Sequence, residues 1–383
     1  MTLLIDIGAC CEHHTNETLE HLHKAIGDGD PDLIWDRHPS PLIEALVELF
    51  SSRGLMRLDA VRRGVLKWQS GANFESGLVP PTRPDGPMAR WSNDEKELAR
   101  LYLRSLPPEQ WTLDDHMMSI DLVVQDYLPA DALQTEGEWL AVRAGMMGKV
   151  QANLEKEPTT AQADKILRGM PSTVTGAVQQ FGIVGRFRQA LDFARVRAVE
   201  NVRSLSDAVR HRMRAVVTQD LEERIGTVPP GTPSLESKLL DAMGPLNRDW
   251  RRIAVTEAGN ALNEGLVASL SPGTRVKRIE QYRGACPFCR KIDGKVVEVV
   301  DAAAPDKDGE TQIWPGKSNI NRSASPFKRV GGKLVPREPH ELWWIPSGLA
   351  HPNCRGRWLV VDNGSRPGDD PEFAAQLRNI LGQ

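Results

Sequence analysis

Two short motifs that lie far apart in the sequence constrain this chain more than any other feature. Cys286-Pro-Phe-Cys289 and His351-Pro-Asn-Cys354 each carry two metal-binding side chains separated by two residues, a spacing that lets both side chains reach one ion. Three thiolates and one imidazole favour zinc, and four protein ligands leave no open position for an activated water. The sequence therefore predicts a structural zinc site with Cys286, Cys289, His351 and Cys354 as ligands.

Other interpretations of the two motifs stay open at this stage. The cysteines could be buried thiols beside a surface histidine, or Cys286 and Cys289 could form a redox pair. No βαβ pattern of the thioredoxin type surrounds that pair, which argues against redox chemistry. A zinc deaminase carries its H-x-E element before P-C-x-x-C, whereas here the histidine follows and Ala285 precedes Cys286. A shared zinc would also close the long loop between the motifs and stabilise a small domain.

The composition is that of a globular protein with more than one domain. Of the 383 residues, 40% are hydrophobic and 26% are charged, which excludes a wholly disordered or collagen-like chain. Five cysteines are too few for a secreted disulfide framework, and we find no membrane span and no signal peptide, so we expect a protein made in a reducing cytoplasm without a membrane partner. A second group of possible ligands matches no metal motif and is expected at an exposed helix start: Cys10, Cys11, His13 and His14, with His21 and His23 nearby.

The charges are distributed unevenly along the chain. Residues 1–170 carry 17 basic and 27 acidic side chains, a net charge of −10, and residues 171–383 carry 31 and 24, a net charge of +7. This polarity indicates two different partners for the two parts. A set of arginines between residues 181 and 214 is a candidate contact with DNA phosphates, the alternative being a solvated helix face: Arg186, Arg188, Arg195, Arg197, Arg203, Arg210, Arg212 and Arg214.

The pattern of apolar and turn-forming residues predicts an α+β protein, a mainly helical body followed by a small β-rich C-terminal domain. Gly77 to Pro87 is rich in Pro and Gly and can sustain neither helix nor sheet, whereas Ser92 and Glu95 form a capping-box signature. The predicted boundaries are a helical module at 1–76, a linker at 77–91, a helical body at 92–270, the zinc-stapled domain at 271–362 and a tail at 363–383.

Within these segments the periodicity predicts individual elements. One helix runs from Phe181 to Val202, a second is capped by Ser204 or Asp207, and a third spans about Asn247 to Leu270. Asp293-Gly294 is typical of a tight hairpin turn, residues 302–339 are expected to be a long loop that is mobile or orders on a partner, and residues 370–381 form a short helix. The predicted strands are Arg275–Ile279, Lys295–Val300, Leu342–Ile345 and Trp358–Val361.

Several of these residues, taken together and in order, resemble the phage Mu F-like family of minor head, or head morphogenesis, proteins of tailed bacteriophages. The helix with Ile253-Ala-Val-Thr256-Glu257 and Asn263-Glu-Gly265 is similar to the family's "IA-x-TE … N-x-G" segment. Cys286-Pro-Phe-Cys289 followed by Asp293-Gly294-Lys295 resembles "C-x-x-C-x-x-x-DGK", and His351 to Arg355 resembles "HPNCR". The resemblance covers roughly residues 180 to 362. The family often has a Pro-Pro pair before the histidine and a further cysteine after this motif, and both are missing here.

The resemblance implies a non-enzymatic protein of the head interior, present in the host cytoplasm during assembly. It would associate with the portal protein and other head proteins, and it would act in procapsid assembly or genome delivery. The basic part of the chain could contact packaged DNA, and the acidic part, residues 1 to about 170, is expected to dock on another head protein. A nucleic-acid-binding zinc module is an alternative interpretation, as is a Mu F-type effector or toxin enzyme, although few residues follow Val361.

Overall fold

The computed structural model describes residues 34–154, 156–225, 229–361 and 370–382. The protein is 59% helical with a small mixed sheet region towards the C-terminus, which confirms the predicted α+β fold. Contacts divide the chain into two compact units, one containing Ser52–Gln134 and Val202–Trp250, the other containing Asp30–Ser51, Thr135–Asn201 and Arg251–Gln383. The domain boundaries proposed from the sequence stay predictions.

Helices form most of the described chain. Three short 3-10 helices also occur, at Met88–Arg90, Pro108–Gln110 and Pro339–Glu341. The helices are α1 Pro41–Gln69, α2 Asn93–Arg104, α3 Leu113–Tyr127, α4 Ala130–Asn153, α5 Thr160–Gly169, α6 Val174–Phe181, α7 Gly185–Glu223, α8 Leu235–Ser269, α9 Pro287–Ile292 and α10 Pro371–Leu381. The strands are β1 Arg275–Ile279, β2 Val296–Val299, β3 Gln312–Ile313, β4 Phe327–Val330, β5 Lys333–Pro336 and β6 Arg357–Val361.

Local capping determines where α2 begins, as the sequence predicts. The Ser92 hydroxyl accepts a hydrogen bond from the Glu95 amide, and the Glu95 carboxylate accepts one from the Ser92 amide. The predicted cap at Ser204 or Asp207 is wrong, because α7 continues through both residues. The apolar stripe of α7 continues past these positions, since Val202, Leu205 and Val209 are all buried along the same helix. Tertiary packing therefore outweighs the preference of Ser204 and Asp207 for a helix cap.

The unit that contains Ser52–Gln134 and Val202–Trp250 is helical and buries an aromatic cluster. Leu103 of α2 and Leu122 of α3 are fully buried, and Trp111, between these helices in the sequence, is mostly buried beside them. Arg214 of α7 forms an ion pair with Asp121 of α3. Within the predicted linker, the segment before Met88 has neither helix nor strand, as its Pro and Gly content requires.

The second unit contains the four-stranded sheet, in the order β3-β2-β1-β6. Strand β1 pairs antiparallel with β2 and β6, and β2 pairs in parallel with β3. Val276 of β1 lies opposite Val297 and Val360 in the two registers. Because alternate residues of a strand share a face, Val276, Val297 and Trp358 enter the core, where Leu266 of α8 packs with them.

Helices α4 and α8 approach each other closely in this unit. Gly145 and Gly148 lie on α4, and Gly265 lies on α8. A methyl group on Gly148 would overlap the carbonyl of Leu262, and one on Gly265 would overlap the carbonyl of Gly145. The absence of side chains at these positions therefore permits the contact between the two backbones.

Several predictions for the C-terminal region need correction. Residues 342–345 are not a strand, since only an isolated bridge joins Leu342 to Ser323. Asp293 caps the short helix α9, and Gly294 has φ 76°. The pair forms a turn closed by the bond from the Lys295 amide to the Ile292 carbonyl, but this turn joins a helix to β2 and is not a hairpin turn between two strands. The segment 302–339 is not structureless, because it contains β3 and the antiparallel hairpin of β4 and β5. The predicted helix at 370–381 is confirmed by α10. Among the described residues, no helix has the length and apolar character to cross a membrane.

Candidate metal centre

Helix α9 positions the first pair of candidate ligands. Cys286 is the N-cap residue of α9, and its Sγ accepts the amide of Cys289 at 3.4 Å. Pro287 follows at the first helical position, where a missing N–H costs nothing and a fixed φ favours the helix. The cap therefore places both thiols on the same side of the helix start, as expected for two residues three positions apart.

A tight turn positions the second pair. The amide of Cys354 donates to the carbonyl of His351 at 3.2 Å, and Asn353 has the left-handed φ of 62°. Asn tolerates this conformation better than most residues. The amide of Asn353 donates to the hydroxyl of Thr256 on α8 at 2.9 Å, which ties the turn to the helix.

The four predicted ligands are linked through Cys289, which contacts both His351 and Cys354. Nε2 of His351 lies 3.3 Å from Sγ of both Cys286 and Cys289, and Sγ of Cys289 lies 3.8 Å from Sγ of Cys354. Ligands of one tetrahedral zinc ion would be about 3.8 Å apart for two sulfurs and about 3.6 Å apart for sulfur and nitrogen. Metal-binding atoms lie within 4.8 Å of one another in two groups that share Cys289, namely Cys286, Cys289 and His351, and Glu280, Cys289 and Cys354. The arrangement could hold a metal ion.

The histidine is oriented as a metal ligand. The second ring nitrogen of His351, Nδ1, is 2.8 Å from the carbonyl of Pro352. Since a carbonyl only accepts, Nδ1 carries the proton and Nε2 presents its lone pair to the sulfurs, an arrangement typical of metal-bound histidines. Trp343 stacks on the ring with centroids 5.6 Å apart, and Phe288 contacts Trp343 edge-on. Burial lowers the pKa of His351, but the Pro352 carbonyl and the Cys354 thiol outweigh it and the net shift is upward.

A buried charged pair flanks the thiols. Arg278 and Glu280 are both buried, and Nε of Arg278 donates to Oε1 of Glu280 at 2.7 Å. Nη2 of Arg278 is 4.0 Å from Sγ of Cys354, and the Tyr282 hydroxyl is 3.5 Å from the same sulfur. The bond from Cys289 lowers the pKa of Cys354, with Arg278 adding to the effect, while the pKa of Cys289 is raised. Burial raises the pKa of Glu280 to about 7.

One face of α8 holds the segment that carries the second pair of ligands. Oδ1 of Asn260 accepts the amide of Leu349 at 2.8 Å, and Nδ2 of Asn263 donates to the carbonyl of Gly356 at 2.8 Å. With Thr256 these residues follow helical spacing, which places them on one side of the helix. The adjacent Glu257 binds elsewhere, to Arg197 at 2.7 Å and to Asn201. Thr256 and Glu257 are therefore polar contacts within the fold.

Sequence reasoning missed Arg278, Glu280 and the roles of Asn260 and Asn263. The helical spacing of Thr256, Asn260 and Asn263 was the one signal that could have revealed a polar face. The two-residue period of β1 places Arg278 on the buried face with Val276 and the other basic residues of the strand on the opposite face, a signal that was not used.

The arginine set on α7 is mostly engaged within the protein. Arg197 pairs with Glu257, Arg214 with Asp121, and Arg186 donates to the carbonyl of Leu270. Arg210 pairs with Asp121 and Asp207, and Arg188 and Arg195 lie within 4 Å of Asp192. Among the described residues, Arg203 and Arg212 have no carboxylate partner. The DNA contact stays a prediction, with these two exposed side chains as its unpaired members.

Comparisons with known proteins give no family for the chain. No family model, no curated protein and no solved structure matches it. The second ligand group predicted near the N-terminus, with Cys10, Cys11, His13 and His14, lies outside the described residues. The functional argument therefore depends on the metal centre and on the residues around it.

Proposed function

We propose that Cys286, Cys289, His351 and Cys354 bind one zinc ion whose role is structural. The observation that carries this proposal is the convergence of the Cys286 and Cys289 thiols on the free nitrogen of His351, with the Cys354 thiol 3.8 Å from that of Cys289. These separations are close to the edges of a zinc tetrahedron. Zinc bound there would join α9 to the turn before β6. A set of four protein ligands supplies no site for a reactive water, which supports a structural rather than a catalytic role.

Charge supports zinc at this position. Three thiolates around a divalent ion leave one negative charge in a buried site, and burial of a charge is costly without a partner. The bond from Cys289 lowers the pKa of Cys354, and the guanidinium of Arg278, 4.0 Å from the Cys354 sulfur, lowers it further. Arg278 is thus suited to balance the thiolate form that zinc requires.

We further propose that the protein is a minor head protein of a tailed bacteriophage, related to the Mu F-like family and without enzymatic activity. The residues that carry the resemblance are far apart in sequence, and they support the proposal because they contact one another. Thr256 of the TE segment binds Asn353 of the HPNCR segment, and Cys289 of the CxxC segment lies 3.8 Å from Cys354. Three matched segments that contact one another in the fold support the proposal more strongly than three matches with no contact between them.

In this role the chain would lie inside the head, with the portal protein and other head proteins as partners and possible contact with packaged DNA. Its acidic part, residues 1–170, would dock on another head protein, because it differs in net charge from the rest of the chain. A nucleic-acid-binding module is a weaker candidate, since six of the α7 arginines have partners within the protein. Nothing among the described residues favours an effector enzyme.

The proposal is tested by assembly in a host that co-expresses this chain with the portal, scaffold and major capsid proteins of a tailed bacteriophage. We expect purified procapsids to contain the full chain only when the portal is present. A shortened chain lacking residues 1–90 should lose incorporation, whereas Ala208→Gly, an exposed change on α7, should leave it intact. Equal incorporation without the portal would remove the portal from the proposal, and no incorporation with any combination would overturn the head-protein role.

A further inference from the structure

The hairpin of β4 and β5, here called the 327–336 hairpin, exposes apolar side chains on a two-stranded sheet. Its turn is Gly331-Gly332, with φ of 55° and 81°, as a tight two-residue turn requires. Phe327, Val330 and Leu334 are 52%, 56% and 66% exposed. Two-stranded sheets are marginal by themselves, and clustered exposed apolar side chains mark contact surfaces. The hairpin therefore has the properties of a surface that packs against something else.

The outer edge of β5 is available for strand pairing. The two-residue turn makes Val330 and Lys333 a hydrogen-bonded pair, so the next residue, Leu334, directs its backbone N–H and C=O outward. In the described part of the chain, no segment outside the hairpin pairs with Leu334. On β4 the Ser325 hydroxyl bonds both the carbonyl and the amide of Phe327, so that edge keeps only the outward groups of Arg329, the register partner of Leu334. The outer edge of β5 carries the groups of Leu334 and also the carbonyl of Pro336.

The unpaired cations of the hairpin favour an acidic partner. Lys328 and Arg337 already form ion pairs with Glu341, but Arg329 and Lys333 are exposed and have no carboxylate within 4 Å among the described residues. Cations on an edge strand oppose pairing with a second copy of the same hairpin and attract an acidic strand. The exposed apolar side chains fit a polypeptide, which offers apolar side chains in return, better than a sugar–phosphate backbone.

We propose that the outer edge of β5 binds an acidic, extended segment of a partner protein by addition of a β-strand. The backbone of Leu334 would pair with the added strand, and Arg329 and Lys333 would meet its carboxylates. Val330 and Leu334 lie on opposite faces of the hairpin, and apolar side chains on the two faces of the added strand would cover them. This surface is separate from the metal ligands and from the arginines of α7, so the inference does not depend on the proposed zinc or head-protein role.

The test uses the full chain and a fluorescent ten-residue peptide in which pairs of Glu alternate with pairs of Val, so that each face of the added strand carries both residue types. We expect the peptide to bind, and the same peptide with Lys in place of Glu not to bind. Arg329→Glu with Lys333→Glu should weaken binding by about tenfold, and N-methylation of alternate peptide amides should abolish it. The matched control is Arg203→Glu with Arg212→Glu on α7, which should bind as the wild type does.

Metal content and the urea midpoint verify that each variant folds, and Arg329→Gln with Lys333→Gln replaces the charge reversal if that variant does not. Equal affinity of the wild type and the hairpin variant would overturn the proposal. So would undiminished binding of the N-methylated peptide, or binding of a DNA oligonucleotide that depends on Arg329 and Lys333 while no peptide binds.

Discussion

The hydroxyl of Thr256 accepts the amide of Asn353 at 2.9 Å, and this bond joins α8 to the turn that carries Cys354. Asn353 holds a left-handed φ of 62° immediately before the cysteine, so fixing its amide fixes the direction in which the Cys354 thiol leaves the backbone. Asn260 and Asn263 repeat the contact one and two helical turns further along α8. The helix therefore positions the second half of the metal centre.

Removing the Thr256 hydroxyl, which accepts the Asn353 amide, should destabilise the turn that carries Cys354. We expect Thr256→Val to lower the free energy of unfolding by about 1–2 kcal/mol, because the Asn353 amide loses its partner. Thr256→Ser retains the hydroxyl and is the matched control. Urea unfolding of the three proteins measures the difference, and a valine variant as stable as the serine variant would contradict this role of the bond.

The proposed zinc site leads to a prediction about the zinc content and the stability of the purified protein. We expect one zinc per chain, and Cys289→Ser should release it and unfold the C-terminal region, since structural zinc contributes on the order of 10 kcal/mol in small zinc-binding peptides. Cys10→Ser, at a cysteine that the sequence does not assign to the site, is the matched control. Elemental analysis that finds less than about 0.2 zinc per chain in protein prepared without chelator would contradict a tight four-ligand site.

The sequence predicted side chains that could hold a metal ion and missed residues beside them. Local patterns pointed to Cys286, Cys289, His351 and Cys354, because ligand spacing is a short-range property of a turn or helix start. The same applies to the cap at Ser92. Local patterns gave no sign of Glu280, which lies with Cys289 and Cys354. The strand period places Arg278 on the buried face with Val276. Its contact with Cys354 could not be recognised, because the two residues are 76 positions apart in the sequence.

The ion pairs on α7 predict how DNA binding would depend on salt. If only Arg203 and Arg212 contact phosphates, the slope of log K against log salt should be about −2, whereas eight contacts would give about −7. The measurement is the affinity of the full chain for a DNA duplex at several salt concentrations. Arg203→Gln with Arg212→Gln should remove the slope, and a slope near −7 would show that the ion pairs open to bind DNA.

A buried histidine predicts acid sensitivity. Nδ1 of His38 accepts the Ser40 amide at 3.1 Å, and burial, with Arg355 and Arg357 nearby, lowers the pKa of His38 to about 3. The unfolded chain takes up this proton near pH 6.5 and the folded chain does not, so stability is complete above pH 6.5 and falls as the pH decreases towards 3. At pH 5 the loss should be ~2 kcal/mol.

His38→Asn tests this, since its amide oxygen can accept the same bond without titrating. We expect the loss of unfolding free energy between pH 7.5 and pH 5 to be smaller by ~2 kcal/mol in this variant. Any loss from the metal centre is common to both proteins and cancels. His340→Asn, at an exposed histidine, should behave as the wild type, and an identical pH dependence in all three would exclude His38 as the source.

At Gly148, where α4 and α8 are close together, an alanine would improve the helix propensity but would also create a steric overlap. In an open helix position Gly→Ala stabilises by ~1 kcal/mol. A methyl group on Gly148 would instead overlap the backbone carbonyl of Leu262 on α8. Backbone atoms cannot move aside as the end of a flexible side chain can. We therefore expect Gly148→Ala to destabilise the protein by about 1–3 kcal/mol. Ala208→Gly, at an exposed position of α7, calibrates the propensity effect and should cost ~1 kcal/mol. Urea unfolding gives both values, and a Gly148→Ala protein more stable than the wild type would show that the two helices can separate without loss.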